Sequence, residues 1–302
     1  MPSKSEPCAV LTAAGSGSRL GCELPKALVS LSGRPLVWWA ARGLRAGGVG
    51  AIVVTAPASS IVRLQGVSKI YGSGDAQVRA LDDVSVGFGA GEFTAIMGPS
   101  GSGKSTLMQT IATLDTPDPN PATSIRIGGT ELFGLKDNAL TEFRREHIGF
   151  IFQAFNLVPT LTAGQNIDLP LGLAGKKPDP QWRDYLVKTL GLETRLDHRP
   201  EQLSGGQQQR VAIVRALLAR PEVVFADEPT GNLDSNSGAE VLRLLRAAAT
   251  DHAQTILMVT HDANAASYAD RVVFIKDGMV AGEMIEPTYD AVLGAMAQLE
   301  GR

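Results

Sequence analysis

A short buried strand that leads into a glycine-rich loop constrains the fold of this chain more than any other feature. Phe93–Met97 has the apolar character of such a strand, and residues 98–106 then read Gly-Pro-Ser-Gly-Ser-Gly-Lys-Ser-Thr. Glycines allow tight turns, so several backbone N–H groups can converge on phosphate, and the helix starting near Lys104 adds the positive end of its dipole. The segment predicts an α/β fold with a phosphate-binding loop after one strand.

Two further motifs follow the phosphate loop along the chain. Residues 203–210 read Leu-Ser-Gly-Gly-Gln-Gln-Gln-Arg, and the apolar strand at 223–226 ends in two acids, Asp227 and Glu228. Ser204 is a good helix N-cap, and the two glycines after it leave the helix N-terminus open as an anion site. Because the phosphate loop would already hold the triphosphate of this chain, the second anion site needs another explanation.

Three single residues stand out beside these motifs. Gln153 follows the apolar run at 150–152, and His261 follows the buried strand at 255–260. The carboxyl end of a strand is where α/β sheets place functional groups. Tyr71 closes a segment in which apolar and polar residues alternate, which is typical of a half-buried antiparallel strand.

The three motifs, in this order, resemble the nucleotide-binding subunit of an ATP-binding-cassette (ABC) transporter. The resemblance covers residues 61–285. It implies a P-loop NTPase of the α/β class, with an ABC-type antiparallel β subdomain and a helical subdomain formed by the patterns at 135–147 and 181–200. Residues 286–302 would form a C-terminal helix and tail.

The resemblance implies ATP and Mg²⁺ as cofactors. Glu228 would polarise the attacking water, His261 would hydrogen-bond the γ-phosphate, and Lys104 would place its charge on the β- and γ-phosphates. Three side chains would ligate Mg²⁺: Ser105, Gln153 and Asp227. The nucleotide would be bound by an adenine-stacking tyrosine, the phosphate loop, the glutamine and the second anion site with its neighbouring loop: Tyr71, Gly98, Pro99, Ser100, Gly101, Ser102, Gly103, Lys104, Ser105, Thr106, Gln153, Ser204, Gly205, Gly206, Gln207 and Asp234.

The same resemblance explains the second anion site through a head-to-tail homodimer. Residues 204–207 of one subunit would close over the γ-phosphate held by the other, and the loop at 231–234 would cross the interface. A separate membrane permease would be the second partner, so the protein is expected in the cytoplasm, on the inner face of the plasma membrane. Segments 78–85 and 155–162 are similar to the bacterial lipoprotein-release and macrolide-export branch. Residues 164–166 depart from it, because Gly-Gln-Asn replaces Leu-Glu-Asn.

Composition limits where the chain can act. No run of 18 or more apolar residues occurs, so a membrane role requires a partner. No secretory signal is visible, and Cys8 and Cys22 lack metal-ligand spacing, which favours reduced thiols. Residues 1–57 carry six Lys and Arg against two Asp and Glu, without interleaved aromatic residues, so no nucleic-acid partner is expected. Two alternatives stay open: a cassette that regulates a cell-division wall hydrolase, and a soluble ABC ATPase that acts on nucleic acid.

Residues 1–57 form a different piece, joined to the cassette by a linker at 58–60. Their pattern of strand, glycine loop, helix and strand resembles the opening of methylerythritol-phosphate cytidylyltransferases, in which the glycine loop, Arg19 and Lys26 would contact CTP. The resemblance implies a partial β-α-β Rossmann-like segment. Because two strands and one helix cannot build the sheet of such an enzyme, an incomplete fragment without this activity is expected.

Overall fold

The computed structural model describes residues 8–12, 30–31, 34–35, 51–55 and 60–301. The chain divides into two units, Met1–Ser59 and Ser60–Arg302. Strands of the first unit are β1 (Cys8–Thr12), β2 (Ser30–Leu31), β3 (Arg34–Pro35) and β4 (Ala51–Thr55), with β1 parallel to β4 and β2 antiparallel to β3. The two strands expected from the sequence are thus present as β1 and β4. Arg19, Lys26, Cys22 and the expected helix around Trp38 lie outside the described residues.

An antiparallel sheet opens the second unit, as the alternating pattern predicts. Its strands are β5 (Ser60–Tyr71), β6 (Val78–Gly89), β8 (Ser124–Ile127) and β9 (Thr130–Glu131), in the order β6-β5-β8-β9. Every neighbouring pair is antiparallel. Side chains on one face of β5 and β6, including Leu64 and Phe88, are buried in the core.

The larger sheet carries the phosphate loop. Its strands are β7 (Phe93–Met97), β10 (Ile148–Phe152), β11 (Val223–Asp227), β12 (Thr255–Val259), β13 (Arg271–Lys276) and β14 (Met279–Ile285), in the order β10-β11-β12-β7-β13-β14. All neighbours are parallel except β13 and β14. All five residues of β7 and of β12 are buried, because both faces of this sheet are covered. The parallel register brings the carboxyl ends of β7, β11 and β12 to one edge.

Helices cover this sheet on both faces. They are α1 (Lys104–Ile111), α2 (Asp137–His147), α3 (Ala163–Leu173), α4 (Pro180–Thr189), α5 (Gly205–Leu218), α6 (Ser235–His252), α7 (Ala263–Ala266) and α8 (Tyr289–Leu299). Helices α3 and α4 pack on α5, which also contacts β10. In the described part of the chain, no helix has the length and apolarity needed to cross a membrane.

The helical subdomain differs in detail from the expectation. The pattern at 181–200 forms a helix only to Thr189, and α3 appears where no helix was expected. Thr162 caps α3: its hydroxyl accepts from the Gln165 N–H at 3.2 Å, and the Gln165 amide oxygen accepts from the Thr162 N–H at 2.9 Å. A glutamine can form this reciprocal cap as well as a glutamate can. The replacement of Leu-Glu-Asn by Gly-Gln-Asn at 164–166 therefore leaves the start of α3 capped.

Candidate nucleotide-binding site

The phosphate loop runs from the end of β7 to the start of α1, and its glycines are enforced by close contacts. A Cβ atom on Gly98 would lie 1.9 Å from the Ile275 carbonyl oxygen. Gly103 has φ +101°, and a Cβ there would lie 2.2 Å from the Ala80 carbonyl oxygen. Only glycine fits both positions, so the backbone can bend sharply and present its N–H groups at the end of the helix.

Lys104 lies folded over this loop. Its ammonium group donates to the carbonyl oxygens of Gly98 and Pro99, at 2.9 and 2.8 Å. Burial lowers the pKa of Lys104, and the nearby negative charge of Glu228 acts in the opposite direction. Among the described residues, the buried Ser102 hydroxyl has no hydrogen-bond partner. A half-buried cation and an unpaired hydroxyl in a glycine loop at a helix N-terminus fit a polyphosphate.

The two acids at the end of β11 lie in different environments. Burial, and then the charge of Glu228, raise the pKa of Asp227. Glu228 has φ +45°, a left-handed conformation that costs a non-glycine residue of order 1 kcal/mol and is often found at functional sites. Its N–H donates to the Val259 carbonyl at 2.9 Å, which fixes the start of its side chain next to β12.

His261 lies directly against Glu228. Its Nδ1 atom is 2.8 Å from the Glu228 Oε1 atom, and the Thr260 hydroxyl lies 3.4 Å from Oε2. The Glu228 side chain is 19% exposed, whereas that of His261 is 76% exposed. The structure therefore brings together a mostly buried carboxylate and an imidazole that is largely exposed to solvent.

Gln153 connects this edge of the sheet to the loop at 231–234. Its Nε2 atom donates to the Asn232 side-chain oxygen at 3.3 Å, and the Asn232 amide donates to the Gln153 carbonyl at 2.9 Å. A Cβ on Gly231 would lie 2.6 Å from Gln153 Nε2, so a larger residue there would displace the Gln153 side chain from its present position. Asn232 lies in the loop at 231–234 that the sequence singled out, but its role as the partner of Gln153 was not foreseen, because the two residues are 79 apart in sequence.

Arg215 near the end of α5 is a second residue that sequence reasoning missed. It donates to the carbonyls of Asn156 and Phe155, at 2.6 and 2.9 Å, and burial lowers its pKa. Both acceptor residues have positive φ, 50° and 60°. Arg215 therefore holds the strained segment after Gln153 against α5, the helix that begins with the second anion site.

We expect Arg215→Gln to lower the free energy of unfolding by about 2 kcal/mol, because the carbonyls of Phe155 and Asn156 both lose a charged donor. Urea denaturation of the full chain measures this. Arg145→Gln is the matched control: Arg145 is exposed and makes one long bond of 3.3 Å to the Leu173 carbonyl. Equal unfolding midpoints for the two variants would contradict a structural role for Arg215.

Ser204 and Asp234 both act as helix caps within this chain. The Ser204 hydroxyl accepts from the Gln207 N–H at 3.3 Å, and the Gln207 amide oxygen accepts from the Ser204 N–H at 3.0 Å. Asp234 accepts from the N–H groups of Asn236 and Ser237, and the hydrogen bonds from Ser237 lower its pKa. Among residues 60–301, no hydrogen bond joins residues 204–207 to the phosphate loop.

Tyr71 ends β5 and is 40% exposed. Its hydroxyl donates to the Asp115 carboxylate. Burial, and then this hydrogen bond, raise the pKa of Tyr71. The Thr106 hydroxyl of α1 also interacts with the Tyr71 side chain, so the ring lies beside the helix that follows the phosphate loop.

Comparison with known proteins decides the family. The ABC transporter family matches residues 81–231. The chain is 40% identical, with a TM-score of 0.67, to a dimeric post-hydrolysis state of the ATP-binding cassette MJ0796 bound to ADP and Pi. The matched region covers 99% of that cassette and 75% of this chain. A second dimeric structure of the same bacterial ABC transporter cassette gives the same values. The chain belongs to the ABC transporter family. Its second unit contains the ABC cassette, an ATPase domain of the kind that dimerises.

The curated relatives of this ABC cassette are longer proteins. It is 46% identical over 237 residues to the macrolide export ATP-binding/permease protein MacB of Burkholderia thailandensis, which is 77% of this chain and 35% of MacB. It is also 46% identical over 225 residues to MacB of Salmonella typhimurium, 74% of this chain and 34% of that protein. The chain thus spans about a third of the length of these relatives.

A second family, the MobA-like NTP transferase domain, matches residues 9–123. This match supports the nucleotidyltransferase resemblance of the first unit, without naming the cytidylyltransferase branch. It also runs into the ABC cassette and overlaps the other match at 81–123. Residues 60–123 belong structurally to the second unit.

Proposed function

We propose that this chain powers a separate membrane permease of the macrolide-export or lipoprotein-release type, by hydrolysing ATP between two copies of its cassette. The observation that carries the chemistry is the 2.8 Å contact between Glu228 and His261, on the sheet edge that also carries the phosphate loop. Glu228 takes a proton from the attacking water while His261 hydrogen-bonds the γ-phosphate and orients that water.

Lys104 and the loop N–H groups bind the β- and γ-phosphates, with residues 98–106 forming the cradle. Mg²⁺ fits the donor set of Ser105, Gln153 and Asp227, because it prefers oxygen ligands and needs only one or two carboxylates. When bound, the ion neutralises charge on the phosphates. Burial and the charge of Glu228 raise the pKa of Asp227, and a bound cation would act in the opposite direction and favour the ionised carboxylate.

In the proposed dimer, residues 204–207 of one copy close over the γ-phosphate bound by the other. The helix N-terminus at Ser204 is capped by its own side chain, and Gly205 and Gly206 keep its surface free of bulky side chains. Asp234 lies on the loop that would cross the interface. Two copies thus supply two composite sites, which accounts for a second anion site in a chain with one phosphate loop.

The permease would dock beside the glutamine loop, at the inner face of the plasma membrane. A cavity of about 590 Å³ lies there, walled mainly by apolar groups such as Phe150 and Leu173 and edged by Arg145 and Arg215. Apolar walls with a few polar groups suit a short helical segment of a partner. For the rest of the chain we propose an inactive fragment at 1–57, a linker at 58–60, the cassette at 61–285 and a C-terminal helix and tail at 286–302.

Steady-state ATP turnover, measured against protein concentration, tests the proposal. We expect the rate per subunit to rise with concentration, because each site needs both copies, and to be equal for the full chain and for residues 60–302. A rate per subunit that stays constant down to concentrations at which light scattering shows only monomer would contradict the composite site. A large difference in turnover rate between the two proteins would show that residues 1–59 affect ATP hydrolysis.

A further inference from the structure

The ring of Tyr71 is held by a polar network, the Tyr71 clamp, made of Lys69, Tyr71 and Asp115. The Tyr71 hydroxyl donates to Asp115 Oδ2, and the Lys69 ammonium lies 2.6 Å from Oδ1. Lys69 also donates to the Thr116 carbonyl at 2.7 Å, and the Thr116 N–H donates to Asp115 Oδ1 at 2.8 Å. Each oxygen of the Asp115 carboxylate therefore has a donor.

The clamp joins the end of β5 to the helix that follows the phosphate loop. Asp115 lies just beyond α1, and its N–H donates to the Gln109 carbonyl at 3.2 Å. Two further hydrogen bonds run beside the clamp. The Ile70 N–H donates to the Asp118 carboxylate at 2.7 Å, and the Asp118 N–H donates to the Ser68 carbonyl at 2.9 Å. The tyrosine and the phosphate loop are thus attached to the two ends of one short helix.

The clamp also leaves the two faces of the ring unequal. The Lys69 ammonium lies 5.0 Å from the ring centre, within cation–π distance, and its side chain is only 14% exposed. Tyr71 itself remains 40% exposed, so the ring still offers surface to solvent. A flat nucleotide base can therefore stack only on the face of the Tyr71 ring that Lys69 leaves open.

Asp115 has the charge that this arrangement needs. Burial alone would raise its pKa, but the hydrogen bonds from Lys69 and Tyr71 outweigh burial and lower it. The carboxylate is therefore ionised at neutral pH and can hold both donors at once. Because the pair is mostly buried, solvent screens it less than an exposed ion pair.

We propose that Lys69 and Asp115 are positioning residues for the nucleotide base: they fix the Tyr71 ring in one orientation, with one face open, in register with the phosphate loop. This inference rests on the proposed adenine-stacking role of Tyr71. A ring ordered before binding loses little freedom when the base arrives, so the clamp acts on affinity for nucleotide and not on the chemical step.

The test measures KM and kcat for ATP in the full chain, with Asp115→Asn, Tyr71→Phe, Lys69→Met and the double variant of Tyr71 and Asp115. We expect KM to rise about five- to tenfold in each, since one hydrogen bond to a charged group is lost, with kcat unchanged. The double variant should be no worse than Asp115→Asn alone, because the Asp115 carboxylate is the acceptor that both substitutions affect. Binding of inorganic tripolyphosphate, which has no base, should not change.

Asp82→Asn is the matched control, because it breaks the exposed pair with Arg79, 2.7 Å apart on the same sheet, and should leave KM unchanged. If Tyr71→Ala raises KM while Asp115→Asn does not, the positioning role of Asp115 is overturned, and the stacking of adenine on Tyr71 is kept. If neither variant changes KM, the proposed adenine role of Tyr71 fails as well. If Asp115→Asn weakens tripolyphosphate binding equally, Asp115 only supports α1, and the positioning role is overturned.

Discussion

Glu228→Gln should reduce ATP turnover at least about 100-fold, the usual contribution of a positioned general base, while ATP binding is kept. Glutamine preserves the size of the side chain and a hydrogen bond to His261, but it cannot take a proton from water. Because hydrolysis is what reopens the proposed dimer, the variant should accumulate as an ATP-bound dimer. Phosphate release at saturating ATP and light scattering with and without ATP measure the two effects.

An exposed glutamate outside the proposed site provides the control for this variant. Glu142 lies exposed on α2, and Glu142→Gln should hydrolyse ATP at the rate of the unchanged protein and remain in its normal monomer–dimer equilibrium. Wild-type turnover by Glu228→Gln would show that another group accepts the proton. Slow turnover without dimer accumulation would keep Glu228 as the base and remove the link between hydrolysis and reopening.

The parts of the site that local pattern determines were predictable. The phosphate loop follows from glycines next to a buried strand, and Asp227 and Glu228 follow from acids at the end of an apolar run. In both cases a few neighbouring residues specify both the element and its place at the sheet edge. The antiparallel sheet of β5 and β6 was likewise readable from alternation, since its two faces have different environments.

Contacts between residues far apart in sequence could not be predicted. Arg215 and Asn232 donate to backbone carbonyls 59 and 79 residues away, and their neighbouring residues do not indicate these partners. Helix α3 was missed for a different reason: it contains Pro170, which weakens any helical pattern, and it is stabilised by its cap and by packing on α5. The proposed roles of Ser204 and Asp234 require a second copy of the chain, and one chain shows these residues as helix caps.

Lys104→Met should weaken ATP binding at least about 100-fold, because a buried charge pair with phosphate typically contributes several kcal/mol. Methionine keeps most of the aliphatic length and removes the ammonium group. This group donates to the carbonyls of Gly98 and Pro99, so it lies at the phosphate loop. Fluorescence titration with a labelled ATP analogue measures the change in Kd.

Loss of binding by Lys104→Met must be separated from loss of fold. Two effects on the fold oppose each other: the variant removes a charge that burial disfavours, as the lowered pKa of Lys104 shows, and it also removes two hydrogen bonds to loop carbonyls. The unfolding temperature, measured beside the Kd, separates a loss of fold from a loss of binding. Lys176→Met provides the control, since Lys176 is exposed and pairs with Glu146, 2.5 Å away; it should bind ATP normally. If Lys104→Met also bound ATP normally, the backbone N–H groups and the helix dipole would be sufficient to hold the triphosphate, and the role of Lys104 would be wrong.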